Sequence, residues 1–428
     1  MMNPVITALR GKGPLNFVYR VGRILANYGT TAHRQDKALG LLFERLAQLE
    51  CPATFPVVST ILQRNAKVLS RYPSGNLEFA VHGYAHTDYT RLTYEEQTTH
   101  LTQAKHIFHS LGMAPKGFRA PYLRFNRDTL TILQQLGFSY DSSQGLNWDV
   151  IGHPDPESYR RVLSFYGALS AETLPSLPSI EGSLVRIPYC LPDDESLVQR
   201  LGLHKVQDIS AIWHTILHRT YQLGEVFTLG IHPERTTACL ASVNAVLTEA
   251  RQFSPQVWIA NLGEIAHWWR TRTETRIRLE NEDNHTIRIA LSGPHGLTVL
   301  LRDVESSAPS SPWTRGYRCT WTSNLTVRSP LRPFIAVAPG TAPTLTAFLK
   351  QQGYIVEVST QPETYAYYFD QTDFDATQQR GIVKSIEEVS RPLVRLGRWP
   401  AGAKSALCIT GDIDAMTIWD YVARFVGT

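Results

Sequence analysis

The chain has 428 residues, of which 43% are hydrophobic and 19% are charged, and it contains nine tryptophans. This composition excludes an intrinsically disordered chain and predicts a folded protein with a sizeable core. The 42 lysines and arginines against 38 aspartates and glutamates give a net charge of +4. So small an excess over this length indicates no nucleic-acid-binding surface, and we expect no nucleic-acid partner.

The cysteines and the hydropathy pattern bear on the cell compartment. The five cysteines are scattered without CxxC spacing, which favours a reducing compartment over a disulfide framework. No run of about 18 apolar residues occurs, so we expect a cytoplasmic protein without a transmembrane segment. Residues 15–28 have helical apolar spacing together with Arg20 and Arg23. A buried first helix is the favoured interpretation, and a helix in peripheral contact with a membrane is the alternative.

Helical and strand patterns alternate through the first 270 residues. Apolar residues recur at helical spacing over 36–50, a strand follows over 53–58, and another over 77–81 ends at His82. Thr93 begins a capping-box sequence that opens a helix, and Asn126 caps the next one. Further strands are predicted over 138–140, 226–231 and 257–260. This alternation predicts an α/β fold with a parallel sheet or barrel.

The sequence changes character after residue 270. Short runs of alternating hydrophobicity over 275–279, 286–291 and 297–301 are separated by turn residues. We therefore place a boundary near residue 272 and predict a mostly β region over 272–400 that contains a small β-α-β unit. A last apolar strand over 405–410 runs into Gly411-Asp412-Ile413-Asp414.

Two histidine pairs have HxxxH spacing, which is weak evidence for a metal site when it stands alone. His82 and His86 come directly after a predicted strand, where barrel enzymes place catalytic groups. His214 and His218 lie on an amphipathic helix, and no carboxylate accompanies them in the sequence motif. We interpret the second pair as an ordinary helix face and the first as a pair of candidate metal ligands.

Three further segments carry residues suited to catalysis. Arg119 lies in a GFRAPY segment, where a proline fixes a tight loop and a permanent positive charge can hold a carboxylate. His232 follows the strand 226–231 in an LGIH segment. Asp412 and Asp414 alternate with Ile413, so both carboxylates face one side of an extended chain. Helix capping is the alternative for either aspartate.

Taken together, ATFPVV, HGYAH, GFRAPY, LGIH and GDID resemble the motifs of the polysaccharide deacetylase (NodB-homology) family, over residues of about 35–270 and the last 25. The resemblance implies a distorted (β/α)7 barrel over 1–271 and 401–428, with 272–400 as an inserted β-rich domain. The family's first motif normally precedes ATFPVV, but residues 1–52 hold no acids at a strand end. GDID looks like that motif displaced to the C-terminus, which implies a circularly permuted barrel.

The resemblance also implies roles for the site residues. It assigns a divalent metal, usually zinc, whose ligands are His82, His86 and Asp414. In the implied mechanism the metal polarises the acyl carbonyl and acidifies a water. Asp412 is the implied general base, and His232 is the implied general acid. Arg119 would orient Asp412 through its charge, and the backbone N–H of Tyr122 would donate to the oxyanion. The family's fourth motif, an acid that tunes the catalytic histidine, stays open between Asp141 and Asp149.

Three functions follow from the resemblance as hypotheses. The first is removal of an acyl group, normally N-acetyl, from an amino sugar or glycan precursor. The second is an amidase or deformylase acting on a C–N bond outside polysaccharides. The third is a catalytically inactive barrel that binds carbohydrate, which the displaced first motif favours. We expect the first because the ligand, base and acid candidates all occur together.

Overall fold

The structure is a computed structural model that describes residues 28–72, 75–152 and 156–426. The helix predicted over 15–28 lies outside these residues except for Tyr28. Within the described ranges, no helix has both the length and the apolar content needed to cross a membrane.

The α-helices of these ranges are numbered here along the chain. They are α1 (His33–Gln48), α2 (Ser59–Arg64), α3 (Ala66–Leu69), α4 (Tyr94–Ser110), α5 (Arg127–Gln135), α6 (Glu157–Tyr166), α7 (Val206–Leu223), α8 (Thr236–Ala250), α9 (Leu262–Thr273), α10 (Pro343–Gln351), α11 (Gln379–Glu387) and α12 (Ile418–Val426). Thr93 and Asn126 form the predicted caps of α4 and α5. In each, the cap side chain accepts from the backbone N–H of the third helical residue, whose side chain accepts from the backbone N–H of the cap.

The strands before residue 272 are β1 (Ala53–Val57), β2 (Leu77–Val81), β3 (Gly117–Phe118), β4 (Tyr140–Asp141), β5 (Gly145–Asn147), β6 (Leu169–Ser170), β7 (Ser179–Glu181), β8 (Leu184–Arg186), β9 (Tyr189–Leu191), β10 (Val226–Gly230) and β11 (Val257–Ile259). The later strands are β12 (Arg276–Asn281), β13 (Thr286–Ser292), β14 (Val299–Arg302), β15 (Glu305–Ser306), β16 (Ser311–Pro312), β17 (Tyr317–Thr320), β18 (Asn324–Arg328), β19 (Arg332–Val337), β20 (Val356–Val358), β21 (Tyr365–Phe369), β22 (Leu393–Leu396) and β23 (Ser405–Thr410).

The largest sheet has nine strands and carries the candidate site. Its order is β10-β23-β1-β2-β3-β4-β8-β7, and β11 pairs with β23 as well. Every pairing is parallel except that of β7 with β8. Among the described residues the path stays open between β10 and β7, so the sheet is a curled half-barrel. The predicted α/β fold with a parallel sheet is confirmed, in this open form.

The C-terminal strand β23 lies inside this sheet. It pairs with β10 from Ala406 to Thr410, while β11 contacts its first half and β1 its last residues on the other side. All six of its residues are buried, as expected for a central parallel strand covered on both faces. The residues that follow β23 therefore lie at the carboxyl edge of the sheet, beside the ends of β1 and β10.

Residues 276–396 form three further sheets, with strand orders β12-β13-β18-β15, β16-β17-β14-β22 and β20-β19-β21. The third sheet is parallel, and α10 connects β19 to β20 as the predicted β-α-β unit. Two clusters of buried apolar residues from this region form cores of their own. We propose on this basis that 272–400 is an inserted domain.

Candidate metal centre and catalytic residues

The two C-terminal aspartates project from the carboxyl end of β23. Between them Ile413 forms a parallel bridge with Val57, and its N–H donates to the Pro56 carbonyl oxygen at 2.8 Å. The Ile413 side chain is buried in the main core. Because neighbouring side chains of an extended segment face opposite sides, Asp412 and Asp414 both face away from that core.

Gly411 allows the ends of β23 and β10 to approach closely. A Cβ atom added at this position would lie 1.6 Å from the Ile231 carbonyl oxygen, so no other residue fits without a backbone shift. The Ile231 N–H donates to the Thr410 carbonyl oxygen at 2.7 Å. The glycine thereby places Asp412 beside the loop that carries His232.

His82, His86 and Asp414 converge at this edge. The Asp414 carboxylate oxygens lie 3.3 Å from His82 Nε2 and 3.4 Å from His86 Nε2. His82 Nδ1 lies 2.9 Å from the Arg119 carbonyl oxygen, which can only accept a hydrogen bond. Nδ1 therefore carries the proton, and the Nε2 lone pair faces Asp414.

These three residues fit a divalent metal by their chemistry. One ligand atom from each lies within 4.8 Å of the others. Two imidazole nitrogens and one carboxylate oxygen form the three-ligand set typical of a catalytic zinc site, which keeps a further position for water or substrate. The backbone oxygen bonded to His82 Nδ1 supplies the outer contact that fixes the ring orientation in such sites.

Asp412 is held by a buried arginine. Arg119 Nη1 donates to Asp412 Oδ1 at 2.8 Å, and the Arg119 side chain is fully buried. Its Nε donates to the Ser142 carbonyl oxygen at 3.0 Å, and its guanidinium lies over the Tyr189 ring. The other Asp412 oxygen lies 3.7 Å from His82 Nε2. Arg119 thus fixes Asp412 beside the candidate metal ligands.

His232 follows β10 and contacts a buried acid. Asp194 accepts hydrogen bonds from the His232 backbone N–H at 2.7 Å and from Nδ1 at 2.6 Å. Burial disfavours the charged imidazolium, but the Asp194 carboxylate outweighs this effect and holds the pKa of His232 well above its ordinary value. Burial raises the pKa of Asp194, but the positive charges of His232 and Arg235 outweigh this effect and lower it. His232 is therefore arranged to carry a proton at neutral pH.

The predicted choice between Asp141 and Asp149 as the acid beside this histidine is wrong. Asp141 lies 3.0 Å from Arg186 Nε and accepts a hydrogen bond from Ser143, whereas Asp194 contacts His232. Asp194 comes shortly after the three-residue strand β9, and its only signal in the sequence was the acidic run Asp193-Asp194-Glu195 that follows Pro192. The contact brings together residues 38 positions apart.

Asp193, Asp194 and His232 also lie close enough together to form a metal site. Their hydrogen bonds argue against this interpretation, because both Asp194 oxygens already accept from His232. Asp193 accepts from the Tyr189 hydroxyl and from the Ser196 backbone N–H, each at 2.9 Å. This cluster is better described as a network that positions a histidine.

Comparisons with known proteins agree with this geometry. Residues 38–140 match the family model described as polysaccharide deacetylase. The peptidoglycan deacetylase-like protein FGM2 of Gibberella zeae is 27% identical over 208 residues, which are 44% of this chain and 62% of that protein. Over these segments the chain is therefore similar to polysaccharide deacetylases. The match spans less than two thirds of the curated relative's length.

Solved structures of deacetylase type are similar at a lower level. A probable polysaccharide deacetylase from Pseudomonas aeruginosa PAO1 is 22% identical, with a TM-score of 0.44 over 56% of this chain and 74% of that one. The PuuE allantoinase is 20% identical, with a TM-score of 0.45 over 61% and 78% of the two chains.

The segment that matches the family model contains only part of the candidate site. His82, His86 and Arg119 lie inside residues 38–140, whereas Asp412 and Asp414 come from the C-terminus. The sheet brings the two groups together because β23 lies beside β1. The roles of all these residues remain proposals, which their geometry supports.

The second HxxxH pair has a carboxylate after all. Glu249 on α8 contacts both rings, with 2.7 Å from its Oε1 to His218 Nε2 and a closer approach to His214 Nδ1. This acid lies on a different helix, so the sequence motif around the two histidines gave no sign of it, and their interpretation as an ordinary helix face stays a prediction. The three side chains lie on the outer surface of α7 and α8, away from the deacetylase motifs.

Tyr122 and Phe165 form an aromatic rim beside the candidate metal ligands. Tyr122 has a left-handed backbone with φ of 59°, and its ring centroid lies 4.3 Å from that of His86. The half-exposed Phe165 of α6 contacts Tyr122 with ring centroids 5.8 Å apart. Arg124 packs against Phe165 and forms an ion pair with Asp88 at 3.1 Å. The rim combines an exposed aromatic ring with polar groups.

Proposed function

We propose that the protein is a metal-dependent hydrolase that removes an acyl group, normally N-acetyl, from an amino sugar or glycan precursor. The observation that carries the proposal is the convergence of three groups at one sheet edge. These groups are the ligand set of His82, His86 and Asp414, the Arg119–Asp412 pair, and the Asp194–His232 pair. A ligand set, a base and an acid together satisfy the requirements of amide hydrolysis.

The ligand set would hold a divalent cation, and its two imidazoles and single carboxylate favour zinc. When bound, the metal would supply Lewis acidity toward the acyl carbonyl and a lowered pKa for water.

Asp412 takes the proton of the attacking water in this proposal. Its carboxylate is fixed by Arg119 at 2.8 Å, so it needs no reorganisation when the proton arrives. Asp412 is 7% exposed, which limits competition from bulk water. Its position next to Asp414 along the chain keeps the base beside the ligand set.

His232 gives a proton to the leaving amine. Asp194 keeps the imidazolium charged and fixes its orientation through Nδ1, which leaves Nε2 as the donor. The backbone N–H of Tyr122 is the proposed donor to the oxyanion, held by the turn in which this residue has a positive φ.

The aromatic rim supports a carbohydrate substrate. The apolar C–H faces of a sugar ring pack on an aromatic face, and charged side chains form hydrogen bonds with its hydroxyls. Phe165 presents such a ring to solvent, while Arg124 and Asp88 provide the charged groups next to it. We propose that the rim contacts the sugar that carries the acyl group or its neighbour.

We also propose that the deacetylase domain is circularly permuted. The support is the place of β23, which lies between β10 and β1 and delivers the GDID aspartates to the histidines of the HGYAH segment. In this proposal the C-terminal strand replaces the strand that precedes ATFPVV in the family.

The test is acyl release by the zinc-loaded full-length chain from a panel of N-acetylated amino sugars, oligomeric glycans, formamides and small cyclic amides. We expect acetate from a glycan member, and Asp412→Asn should lower kcat by roughly 10²–10⁴-fold while zinc content is retained. Asp208→Asn on the exposed start of α7 is the matched control and should be unaffected. Turnover of formamides or cyclic amides alone would support the amidase hypothesis, and metal retention without any turnover would support the binding protein.

A further inference from the structure

A small cavity lies at the opposite edge of the nine-stranded sheet from the candidate site. It has a volume of about 40 Å³ and is lined in part by Gly224, just before β10, and Lys404, just before β23. The candidate catalytic residues follow the carboxyl ends of the same two strands. Since each strand residue advances the chain by about 3.3 Å, the six residues of β23 separate the two places by roughly 20 Å.

The cavity wall carries more positive than negative charge. Its charged residues are Arg315, Arg395, Arg398, Lys404 and Glu387. Glu387 forms an ion pair with Arg395 and accepts a hydrogen bond from the Tyr354 hydroxyl at 2.6 Å. One acid thus balances one arginine. Of the other three cations of the wall, Arg398 is buried, Lys404 is half-buried and Arg315 is exposed. A buried cation such as Arg398 is costly to leave unbalanced.

Arg398 is the clearest sign of a missing counter-ion. It is 8% exposed, and its Nη1 donates to the Leu223 carbonyl oxygen at 2.9 Å. Its Nε and Nη2 are buried and have no hydrogen-bond partner within residues 28–72, 75–152 and 156–426. Two donors of one buried guanidinium are thus left without a partner, and a nearby carboxylate or phosphate would stabilise its charge.

The pKa values of three cations at or near the cavity are lowered. Burial and then the charge of Arg395 lower the pKa of Arg398, although Glu387 and Glu225 act in the opposite direction. Burial and then the charge of Arg315 lower the pKa of Lys404. Arg272, close to both arginines, has its pKa lowered to about 9 by burial and by Arg395 and Arg398. The positive charges repel one another across this junction, and a bound anion would relieve the repulsion.

We propose that this cavity binds an oxyanion, a phosphate or carboxylate group, with Arg398 as the buried cation of its wall and Arg315 and Lys404 as the outer cations. A single water needs roughly 10–15 Å³ of such space, so about 40 Å³ accommodates one tetrahedral oxyanion. Arg315 comes from the β-rich region, whereas Lys404 leads into β23. The bound anion therefore ties the β-rich region to the strand that carries Asp412 and Asp414.

The test is calorimetric titration of the full-length, chelator-treated protein with inorganic phosphate, a sugar monophosphate and acetate at constant ionic strength. We expect saturable binding and a rise in Tm, and the ligand with the highest affinity identifies what carries the oxyanion. The double variant Arg315→Gln/Lys404→Gln should weaken binding at least about tenfold. The double variant Arg278→Gln/Lys384→Gln removes two charges that are 80% and 67% exposed and should bind as the unchanged protein does.

Two further results decide the location of the anion. Binding should persist in His82→Ala, because the cavity is remote from the candidate metal ligands, and it should be lost in a folded Arg398→Gln variant. Absence of saturable binding for all three ligands, loss of binding in His82→Ala, or equal affinity of the two double variants would each overturn the proposal. Since none of these measurements uses turnover, they stand apart from the test of the hydrolase.

Discussion

Two pairs of histidines in this chain share HxxxH spacing and a nearby carboxylate, yet they differ in their position in the fold and in their burial. His82 and His86 follow a parallel strand, are 1% and 8% exposed, and meet Asp414 from the far end of the chain. The side chains of His214 and His218 are 28% and 48% exposed on α7. We propose that spacing and a carboxylate alone do not make a metal centre. The strand-end pair differs by being buried beside the Arg119–Asp412 pair.

The sharpest test of this comparison is the metal content of His82→Ala against His214→Ala. An outer contact to a metal ligand already contributes about 10–100-fold in affinity, so removal of a ligand should cost more. We expect His82→Ala and Asp414→Ala to lose zinc and hydrolysis, and His214→Ala to keep both. Atomic absorption and acetate release measure the two effects. Zinc loss in His214→Ala would reverse the assignment of the two pairs.

Gly411 tests how the fold delivers the aspartates. Gly411→Ala would press a methyl group against the Ile231 carbonyl oxygen, and overpacking of this kind costs about 1–3 kcal/mol. A shift of about 1 Å at the Asp412 loop should lower kcat/KM by roughly 10²-fold. The control is Gly381→Ala in α11, where an added Cβ meets no atom within 4 Å. Thermal unfolding and kinetics should separate the two variants, and equal activity would refute the close approach as a requirement.

The pH profile of Asp194→Asn tests the acid. The Asp194 carboxylate raises the pKa of His232 against the effects of burial and Arg235, while Glu234 acts in the same direction as Asp194. Protonated His232 is the proposed donor, so activity should fall as pH rises through this raised pKa. Removal of the Asp194 charge lowers that pKa, and the alkaline limb should move to lower pH. An unmoved limb would exclude His232 as the group that titrates.

Asp193→Asn provides a matched control for that measurement. Asp193 is equally buried but bonds Tyr189 and Ser196 instead of His232. It should shift the alkaline limb less than Asp194→Asn does. The same linkage appears in stability: a histidine with a raised pKa stabilises the fold below its ordinary pKa, and that contribution is lost as pH rises through the raised value.

The sequence revealed the parts of the site that have local signals. Residues 406–409 are all apolar, and the two acids that follow the strand alternate with Ile413. Both the strand and the shared direction of Asp412 and Asp414 were therefore predictable. The motif resemblance predicted that Asp412 and Asp414, near the C-terminus, would lie beside His82 and His86. Asp194 was missed because its contact with His232 depends on β9 lying against β10, where the Cys190 N–H donates to Thr228 Oγ1 at 2.8 Å. A three-residue strand has too little periodicity to show this.

The contact of Glu249 with the second histidine pair was unpredictable for the same reason. It joins residues 31 and 35 positions apart through the packing of α7 on α8. Helical periodicity identified which residues of each helix are buried, but not which surface residues of the two helices would meet. A motif confined to one helix therefore gave no indication of the acid.

The smallest expected effect is that of Glu249→Gln. An exposed ion pair contributes about 0.2–1 kcal/mol, and the His218 and Glu249 side chains are 48% and 29% exposed. We expect the free energy of unfolding to fall within that range, with zinc content and hydrolysis unchanged, whereas Asp414→Asn should lose the metal. Denaturant unfolding and metal analysis check both variants. If Glu249→Gln released zinc, a carboxylate beside an HxxxH pair would be a sufficient ligand set even at the surface. If only Asp414→Asn does so, burial at a strand end beside the Arg119–Asp412 pair is what makes the same spacing a metal centre.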